Sequence, residues 1–282
     1  VYEIPEVKWK DIGKHVSNII AMSADSKIIG SMPVYDFERD KYITIFTEAG
    51  MVKRTKLCDF KVGRYTKEIG MIKLQDGDKV VSVTDSSLDD IMVVTRNGYG
   101  LWYDTSEVSI VGNRASGVKS IKLKDDVVVS SMIFDPEWEY ITIITDKGTA
   151  KRLKLNLLEK TSRANRGILL MKEIKSNPSK IIDSYIMPSK EEIVITSIKE
   201  EKLVKLTEIA IMDRQSNGSF IVKDRILSAH RVTGITSDIL SKKSVTKEEK
   251  IEIIDNKEYK ALKDIDSKIY LVDSLLDNIE DK

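Results

Sequence analysis

Four segments of this 282-residue chain combine arginine, small polar residues and a closing glycine, a set suited to contacting anions. They span residues 62–70, 111–117, 160–167 and 213–218. A guanidinium group gives planar, bidentate hydrogen bonds to phosphate, and a nearby glycine lets the backbone approach a ligand closely. The chemistry that these residues predict is noncovalent contact with phosphate groups.

The four segments recur at a nearly constant interval, which indicates an internal repeat. Their closing glycines are 47, 50 and 51 residues apart, at Gly70, Gly117, Gly167 and Gly218. Each glycine is followed by an apolar-rich run. The repeat must therefore bring each loop to an equivalent place in its own structural unit.

Strand-turn-strand patterns share this period. β-Branched runs begin the patterns at 41–47, 91–95, 141–145 and 192–196. The first three turn at glycines, namely Gly50, Gly98 and Gly148, and glycine supplies the positive φ that tight hairpins require. The fourth has charged residues 199–202 instead and is the most diverged. Between each loop and the next hairpin we expect two more short strands, for instance 121–123 and 127–133.

Four strands in about 50 residues are typical of radial arrays of blades. We therefore predict an all-β, propeller-like fold over residues 1–239, with residues 1–35 as the back half of a blade. Residues 240–282 form a charged tail, for which a short amphipathic helix and a last strand through 269–272 are both open.

Positive charge is concentrated around the loops, although the whole chain carries only +1. Residues 146–175 have a balance of +6, residues 53–73 have +5, and the tail from residue 240 has −2. Aligned on successive blades, the loops would make a positive rim that contacts duplex backbone without reading base sequence. A solvated charged face is the alternative that composition leaves open.

Other chemistry finds little support in the sequence. The two histidines, His15 and His230, lie in different repeats and have no metal-ligand partners at suitable spacing. Cys58 is the single cysteine, so no internal disulfide can form and a reducing, cytoplasmic setting is the default. The chain has no P-loop, no GxGxxG after a strand and no GxSxG nucleophile motif. No apolar run is long enough to span a membrane, and the first residues do not resemble a signal peptide.

Several ordered motifs resemble the C-terminal domains of the A subunits of bacterial topoisomerase IV, of the Gram-positive type. These motifs are 2–11, 52–56 with 60–62, 97–100, 111–119 and 160–167. The resemblance covers Val1 to Ile239, most of the chain. It implies a β-pinwheel, in which blades exchange strands, with five to six blades in the intact domain and about one and a half blades before Val1.

The resemblance also implies a function. The domain would bind and bend double-stranded DNA along a basic outer edge and position DNA segments for decatenation and relaxation. It would be non-catalytic and need no cofactor, because the cleavage tyrosine lies elsewhere in the A subunit. ATP and Mg belong to the rest of the holoenzyme, which includes the B subunit. The expected location is the cytoplasm, associated with the nucleoid.

The paralogous gyrase A subunit carries a glutamine, arginine and glycine box in its first blade, and no such run exists here. That favours topoisomerase IV, although a missing first blade would have removed the box. A gyrase-type wrapping domain and a propeller-type protein scaffold with an acidic partner remain alternatives.

By position, the resemblance assigns DNA contact to two sets of basic residues. The loop set is Arg64, Arg114, Arg163, Arg166 and Arg214. The second set lies on the second strands of the hairpins and is predicted to extend the same edge: Lys53, Arg54, Lys151, Arg152 and Lys154.

Overall fold

The computed structural model describes residues 2, 6–8, 10–20, 22, 26–63, 69–174 and 176–232. Its strands are β1 (Tyr42–Thr47), β2 (Met51–Lys56), β3 (Val80–Thr84), β4 (Asp90–Thr95), β5 (Tyr99–Asp104), β6 (Val118–Lys119), β7 (Val128–Phe134), β8 (Tyr140–Thr145), β9 (Thr149–Lys154), β10 (Ile168–Leu169), β11 (Ile181–Tyr185), β12 (Glu192–Ser197), β13 (Glu201–Lys205), β14 (Ser219–Phe220) and β15 (Ile226–Arg231). Short 3₁₀ turns are η1 (Val16–Asn18), η2 (Leu57–Phe60), η3 (Thr105–Glu107), η4 (Pro136–Trp138), η5 (Leu155–Leu157) and η6 (Leu206–Glu208).

The strands form four antiparallel sheets, each built on one of the predicted hairpins. Blade one has the order β3-β1-β2-β6, blade two β7-β4-β5-β10 and blade three β11-β8-β9-β14. Blade four has the order β15-β12-β13 within the described part of the chain. The predicted all-β pinwheel is confirmed, while the count of five to six blades in the intact domain stays a prediction.

Blades one to three exchange strands, because the outermost strand of each is supplied by the following repeat. The chain leaves the hairpin of blade two at β5, crosses to blade one to pair β6 with β2, and returns to blade two as β7. Strands β10 and β14 make the same excursion to β5 and β9. A short 3₁₀ turn, η3, η5 or η6, begins each excursion at the end of the hairpin.

The strands at the other edge of each blade, β3, β7 and β11, are linked to one another by serine side chains. The Ser82 hydroxyl donates to the Ser131 carbonyl at 2.9 Å, and the Ser130 hydroxyl donates to the Ser184 carbonyl at 3.0 Å. These bonds join the inner edges of blades one, two and three.

The core lies between adjacent blades, since the central strands β1, β4 and β8 bury both of their faces. In β4, Ile91 and Val93 pack against blade one, whereas Met92 and Val94 pack against blade three. Alternate residues of a strand point to opposite faces. A strand covered on both faces therefore reads as the continuous apolar run seen at 91–94.

The structure corrects one predicted strand in the connection that follows the second loop. Residues 121–123 are not a strand; the pairing residues are Val118 and Lys119, and Ile121 is buried in the core between blades one and two. The strand is short because the chain must turn back from blade one to reach β7.

The ends of the chain differ in how far the structure tests them. Before Tyr42 the described residues contain η1 and no strand, so the half-blade predicted for 1–35 has no strand there. The predicted boundary at 239/240 and the tail 240–282 lie outside the described residues.

Candidate nucleic-acid interface

Three loops reach the outer strands of blades one, two and three through the same backbone pattern. Each begins at a parallel bridge to the preceding repeat's hairpin: Ile110 with Arg54, Lys160 with Trp102, and Ile211 with Arg152. Each ends seven residues later at a glycine that leads into β6, β10 or β14. The loops, which we call arcs one (110–117), two (160–167) and three (211–218), therefore occupy equivalent positions.

The closing glycine of each arc is required by both backbone conformation and space. Gly117, Gly167 and Gly218 have φ of 84°, 79° and 88°, in the left-handed region that side chains disfavour. A Cβ atom on any of them would collide with the carbonyl oxygen of the facing residue of β2, β5 or β9. The glycines therefore allow each arc to lie directly against the neighbouring blade.

Three of the predicted contact residues are solvent-exposed. Arg114 on arc one, Arg166 on arc two and Lys154 at the end of β9 all lie on the surface. The Arg166 guanidinium stacks over the Tyr99 ring, 4.2 Å from its centroid. This cation–π contact holds the charge in place while the residue stays open to solvent. Arg214 on arc three is half-buried.

Arg163, on the same arc as Arg166, ties that arc to η3 and to β6 of blade one. Its Nε donates to the Glu107 carbonyl at 3.1 Å, and Nη1 donates to the Lys119 carbonyl. Its backbone N–H donates to Glu107 Oε2 at 2.8 Å. Arg163 is half-buried, so it fixes the loop as well as contributing positive charge.

Arg54 and Arg152 occupy matching positions on β2 and β9 and are both half-buried. Arg54 lies over the Tyr42 ring at 4.2 Å, and Arg152 lies over the Tyr140 ring at 5.1 Å. Arg152 Nε also donates to the Ile209 carbonyl at 2.9 Å, at the start of the arriving segment. These two arginines stay near the outer edge, partly engaged by the protein.

The placement of Lys53 and Lys151 on the outer edge is wrong, because the structure buries both side chains, with 0% and 1% of their surfaces exposed. Lys53 Nζ donates to the carbonyls of Met71 at 2.5 Å and Asn113 at 2.6 Å. Lys151 Nζ donates to those of Asp213 at 2.7 Å and Ser216 at 2.6 Å. Successive residues of a strand point to opposite faces of the sheet, so the side chains of Lys53 and Arg54 cannot belong to the same contact surface.

Burial changes the acidity of these two ammonium groups. Desolvation lowers the pKa of Lys151 from 10.5 to about 8, against the opposing attraction of Asp213. Desolvation likewise lowers the pKa of Lys53, and Asp59 opposes that shift. Both lysines therefore hold arc carbonyls from the inside and are structural supports of the loops.

Arc two is anchored differently, because Leu101 and Trp102 stand on β5 where the other blades have lysine and arginine. Lys160 pairs with Asp90 at 2.6 Å and with Asp104 at 3.0 Å. Burial opposes the charge on Lys160, but the bonds to the two aspartates outweigh it and raise the pKa. Bonds from Ser106, and then from Lys160, lower the pKa of Asp104 to about 2. This lysine is thus neutralised within the protein.

The structure brings together most, but not all, of the predicted contact set. The arcs place Arg114, Arg163, Arg166 and Arg214 in equivalent loops at the outer strands. Arg64 lies outside the described residues, so its role stays a prediction.

Sequence reasoning missed the tyrosines beneath the arginines. Tyr42 and Tyr140 begin β1 and β8, and Tyr99 begins β5. A signal was available for the first pair, since each precedes Ile-Thr-Ile in the repeat and stands twelve residues before its arginine. Tyr99 gave no such signal, because Arg166 reaches it from another repeat.

Metal and membrane sites find no support over the described residues. No group of three or more histidine, cysteine, aspartate or glutamate side chains there is arranged to hold a metal ion. Across the same residues, no helix has the length and apolar character needed to cross a membrane.

Comparison with known proteins gives consistent matches. The family model described as "DNA gyrase C-terminal domain, beta-propeller" matches residues 41–85, 89–134 and 139–184, one hairpin-based repeat each. The A subunit of DNA topoisomerase 4 from Bacillus subtilis (strain 168) is 37% identical over 223 residues, which cover 78% of this chain and 28% of that protein. Its counterpart from Staphylococcus aureus (strain MSSA476) is 34% identical over 226 residues, which cover 79% of this chain. The chain thus spans about 28% of the length of these relatives.

Comparison with solved structures gives matches to the same group of proteins. A crystal structure of the C-terminal domain of DNA topoisomerase IV superposes with a TM-score of 0.77 at 38% identity, covering 84% of this chain and 76% of that one. A DNA gyrase A C-terminal domain, 20% identical, covers 79% of this chain and 76% of its own with a TM-score of 0.66, which supports the fold alone.

Proposed function

Because the chain belongs to the family of C-terminal domains of gyrase and topoisomerase IV A subunits, we propose that it binds double-stranded DNA through the phosphate backbone. The observation that carries this proposal is the register of the three arcs. Each arc starts at a parallel bridge, ends at a glycine seven residues later and carries at least one arginine between them.

The contact set that follows from the geometry is smaller than the sequence suggested. Exposed Arg114, Arg166 and Lys154 are the primary phosphate ligands. The half-buried arginines on β2, β9 and the arcs are less accessible than these exposed residues and add positive electrostatic potential to the same surface. Arginine-rich loops that repeat along an edge suit a backbone track, because phosphate contacts position DNA without specifying its sequence.

In the whole enzyme, we propose that this domain bends DNA and positions segments for decatenation and relaxation by an ATP-dependent type II topoisomerase. Strand cleavage would belong to the rest of the A subunit, and ATP hydrolysis to the B subunit. The domain itself would work without a cofactor, in the cytoplasm, associated with the nucleoid. The assignment to topoisomerase IV rather than gyrase draws on the higher identity of the topoisomerase IV relative.

Fluorescence anisotropy of a labelled linear duplex, titrated with the protein across a range of salt concentrations, tests the proposal. Binding should weaken with salt, with a log–log slope of about −0.9 for each phosphate neutralised. Replacing Arg114 and Arg166 together by alanine should weaken binding and make the slope shallower by about 2. Arg163 is left intact, since its bonds hold the arc.

Lys190→Ala is the matched control, because Lys190 is exposed in the turn before β12 and belongs to none of the three arcs. Its affinity and salt slope should equal those of the unmodified protein. Failure to bind duplex at low salt, or an unchanged slope in the double variant, would contradict the proposal. Strong wrapping of circular DNA would instead assign the domain to the gyrase type.

A further inference from the structure

A cavity of about 410 Å³ opens beside arc two, at the tip of the blade-two hairpin. Its volume falls within the roughly 300–1,000 Å³ of pockets that hold small-molecule ligands. Apolar side chains of Leu169, Met171 and Ile174 line part of it, and Asn97 and Tyr99 of the hairpin line another part. The cavity is thus a recess of mixed polar and apolar lining next to the proposed DNA track.

A long connection builds the wall of this cavity. Ile181, the first residue of β11, lies fourteen positions after Gly167. The matching interval is eleven positions from Gly117 to β7 and eight positions from Gly218 to β15. The extra residues of the third repeat contribute both apolar and cationic groups to the lining, at 172–174 and 178–180. The recess is therefore a feature of this repeat and not of the shared blade plan.

The lining carries a strong excess of positive charge. Four cationic side chains, Lys124, Arg166, Lys172 and Lys180, face one acid, Glu173. Lys180 Nζ donates to the neutral Asn97 Oδ1 at 2.5 Å, which leaves its charge uncompensated by that contact. A group of cations around a concave site attracts anions and concentrates them there.

Arg166 also gives the positively charged lining a planar surface. Its guanidinium is held over the Tyr99 ring, 4.2 Å from the centroid, and the residue is exposed. Nucleobases stack on guanidinium planes and aromatic rings in proteins that bind unpaired nucleotides. The cavity therefore combines cations for a phosphate with planar and apolar surfaces for a base.

We propose that this cavity binds a single nucleotide with an unpaired base. Its phosphate would contact Lys124 and Lys172, and its base would lie between Arg166 and the apolar lining. The nucleotide can come from two sources, a free nucleoside phosphate or an unpaired nucleotide of single-stranded DNA. Inorganic phosphate alone would use only the cations, so a base should add affinity.

Isothermal titration calorimetry of the protein with ADP, pyrophosphate and a short single-stranded oligothymidine tests this proposal. ADP should bind at least about tenfold more tightly than pyrophosphate, because the base buries the apolar lining. If the oligothymidine displaces ADP, the site receives DNA; if it does not, the site is for free nucleotides. Equal affinity for ADP and pyrophosphate, or no binding of ADP, would overturn the proposal.

Substitutions locate the site and separate it from duplex binding. Lys124→Ala with Lys172→Ala should weaken ADP binding at least about tenfold, whereas Lys223→Ala, on the short matching connection after β14, should not. Ile174→Ser should weaken ADP but not pyrophosphate. Because Arg166 is shared with the proposed duplex contact, it is kept in all of these variants. Duplex anisotropy is measured on the same samples. If the unmodified protein binds duplex but no ADP, only this inference is refuted and the proposed duplex binding stands.

Discussion

Arcs one and three are held from within by a buried lysine, whereas arc two is held from outside by ion pairs and an arginine. Lys53 and Lys151 each donate to two carbonyls. On blade two the equivalent residue is Leu101, which is buried in apolar surroundings. Arc two relies instead on Lys160 with its two aspartates and on Arg163.

The comparison separates what the arc requires from what it can exchange. All three arcs keep the parallel bridge, the glycine and the seven-position interval between them. Their anchors differ in chemistry and in the side from which they act. Backbone geometry is therefore the constant part of the repeat, and each blade satisfies the arc carbonyls with the residues available to it.

The largest loss of stability is expected from a change in the glycine that closes an arc, because all three arcs share it. Gly167→Ala should destabilise the protein by about 2 to 6 kcal/mol, because the methyl group meets the Gly100 carbonyl oxygen and φ is 79°. Chemical denaturation followed by circular dichroism measures the free energy of unfolding.

Gly70→Ala is the control, since nothing lies within 4 Å of a Cβ there and its φ is not in the left-handed region. It should change stability by less than about 0.5 kcal/mol. Equal losses at the two positions would show that packing of the arc against β5 is not what requires glycine.

The second largest loss of stability is expected from replacing Lys151, the buried lysine that anchors arc three. Lys151→Met keeps the length of the side chain but leaves the Asp213 and Ser216 carbonyls without their donor. The expected loss is about 1 to 3 kcal/mol in the free energy of unfolding. Lys154→Met, on the same strand but exposed, should be nearly neutral. If both variants unfold alike, the buried donor contributes nothing specific.

The same lysine should produce a distinct pH dependence. Its pKa is about 8 in the folded protein, against an ordinary 10.5. Between these values the unfolded chain holds more protons at this residue than the folded protein does, so its contribution to stability increases as pH rises. The stability difference between the unmodified protein and Lys151→Met should therefore widen from pH 8 to pH 10.5. A constant difference across denaturation curves in this window would contradict the assigned burial.

The smallest effect is expected from the outer anchor of arc two. Lys160 is 37% exposed, and partly exposed ion pairs contribute at most about 1 kcal/mol. Lys160→Ala should therefore cost less than about 1 kcal/mol, and the loss should shrink as salt screens the pairs. Thermal melting at low and high salt measures both. A loss as large as that of Lys151→Met would abolish the distinction between the two kinds of anchor.

Much of the fold was predictable because the repeats carry local signals. Hairpins with β-branched strands and turn glycines stood out along the sequence, and the structure confirms them. The strand predicted at 121–123 was wrong, since Ile121 is apolar for a different reason: it is buried between two blades. An apolar run shows that a segment is buried, but not whether it pairs as a strand.

For the candidate site, the loops were predictable and the fate of each cation was not. Arg163 and Arg166 look equivalent in sequence, yet one is fixed by carbonyls and the other lies open on a tyrosine ring. The cavity beside arc two gave no motif at all, because its lining comes from segments that meet only in the folded chain.

The sequence by itself determined the all-β repeat, its period of about 50 residues, the hairpins and the glycine that closes each arginine loop, because these depend on local backbone preferences. Only the tertiary structure decided which basic residues face solvent. Blades exchange strands, so the neighbours of Lys151 or Arg166 come from a different repeat. Burial of a charge is set by those distant neighbours, and no spacing within one repeat records them.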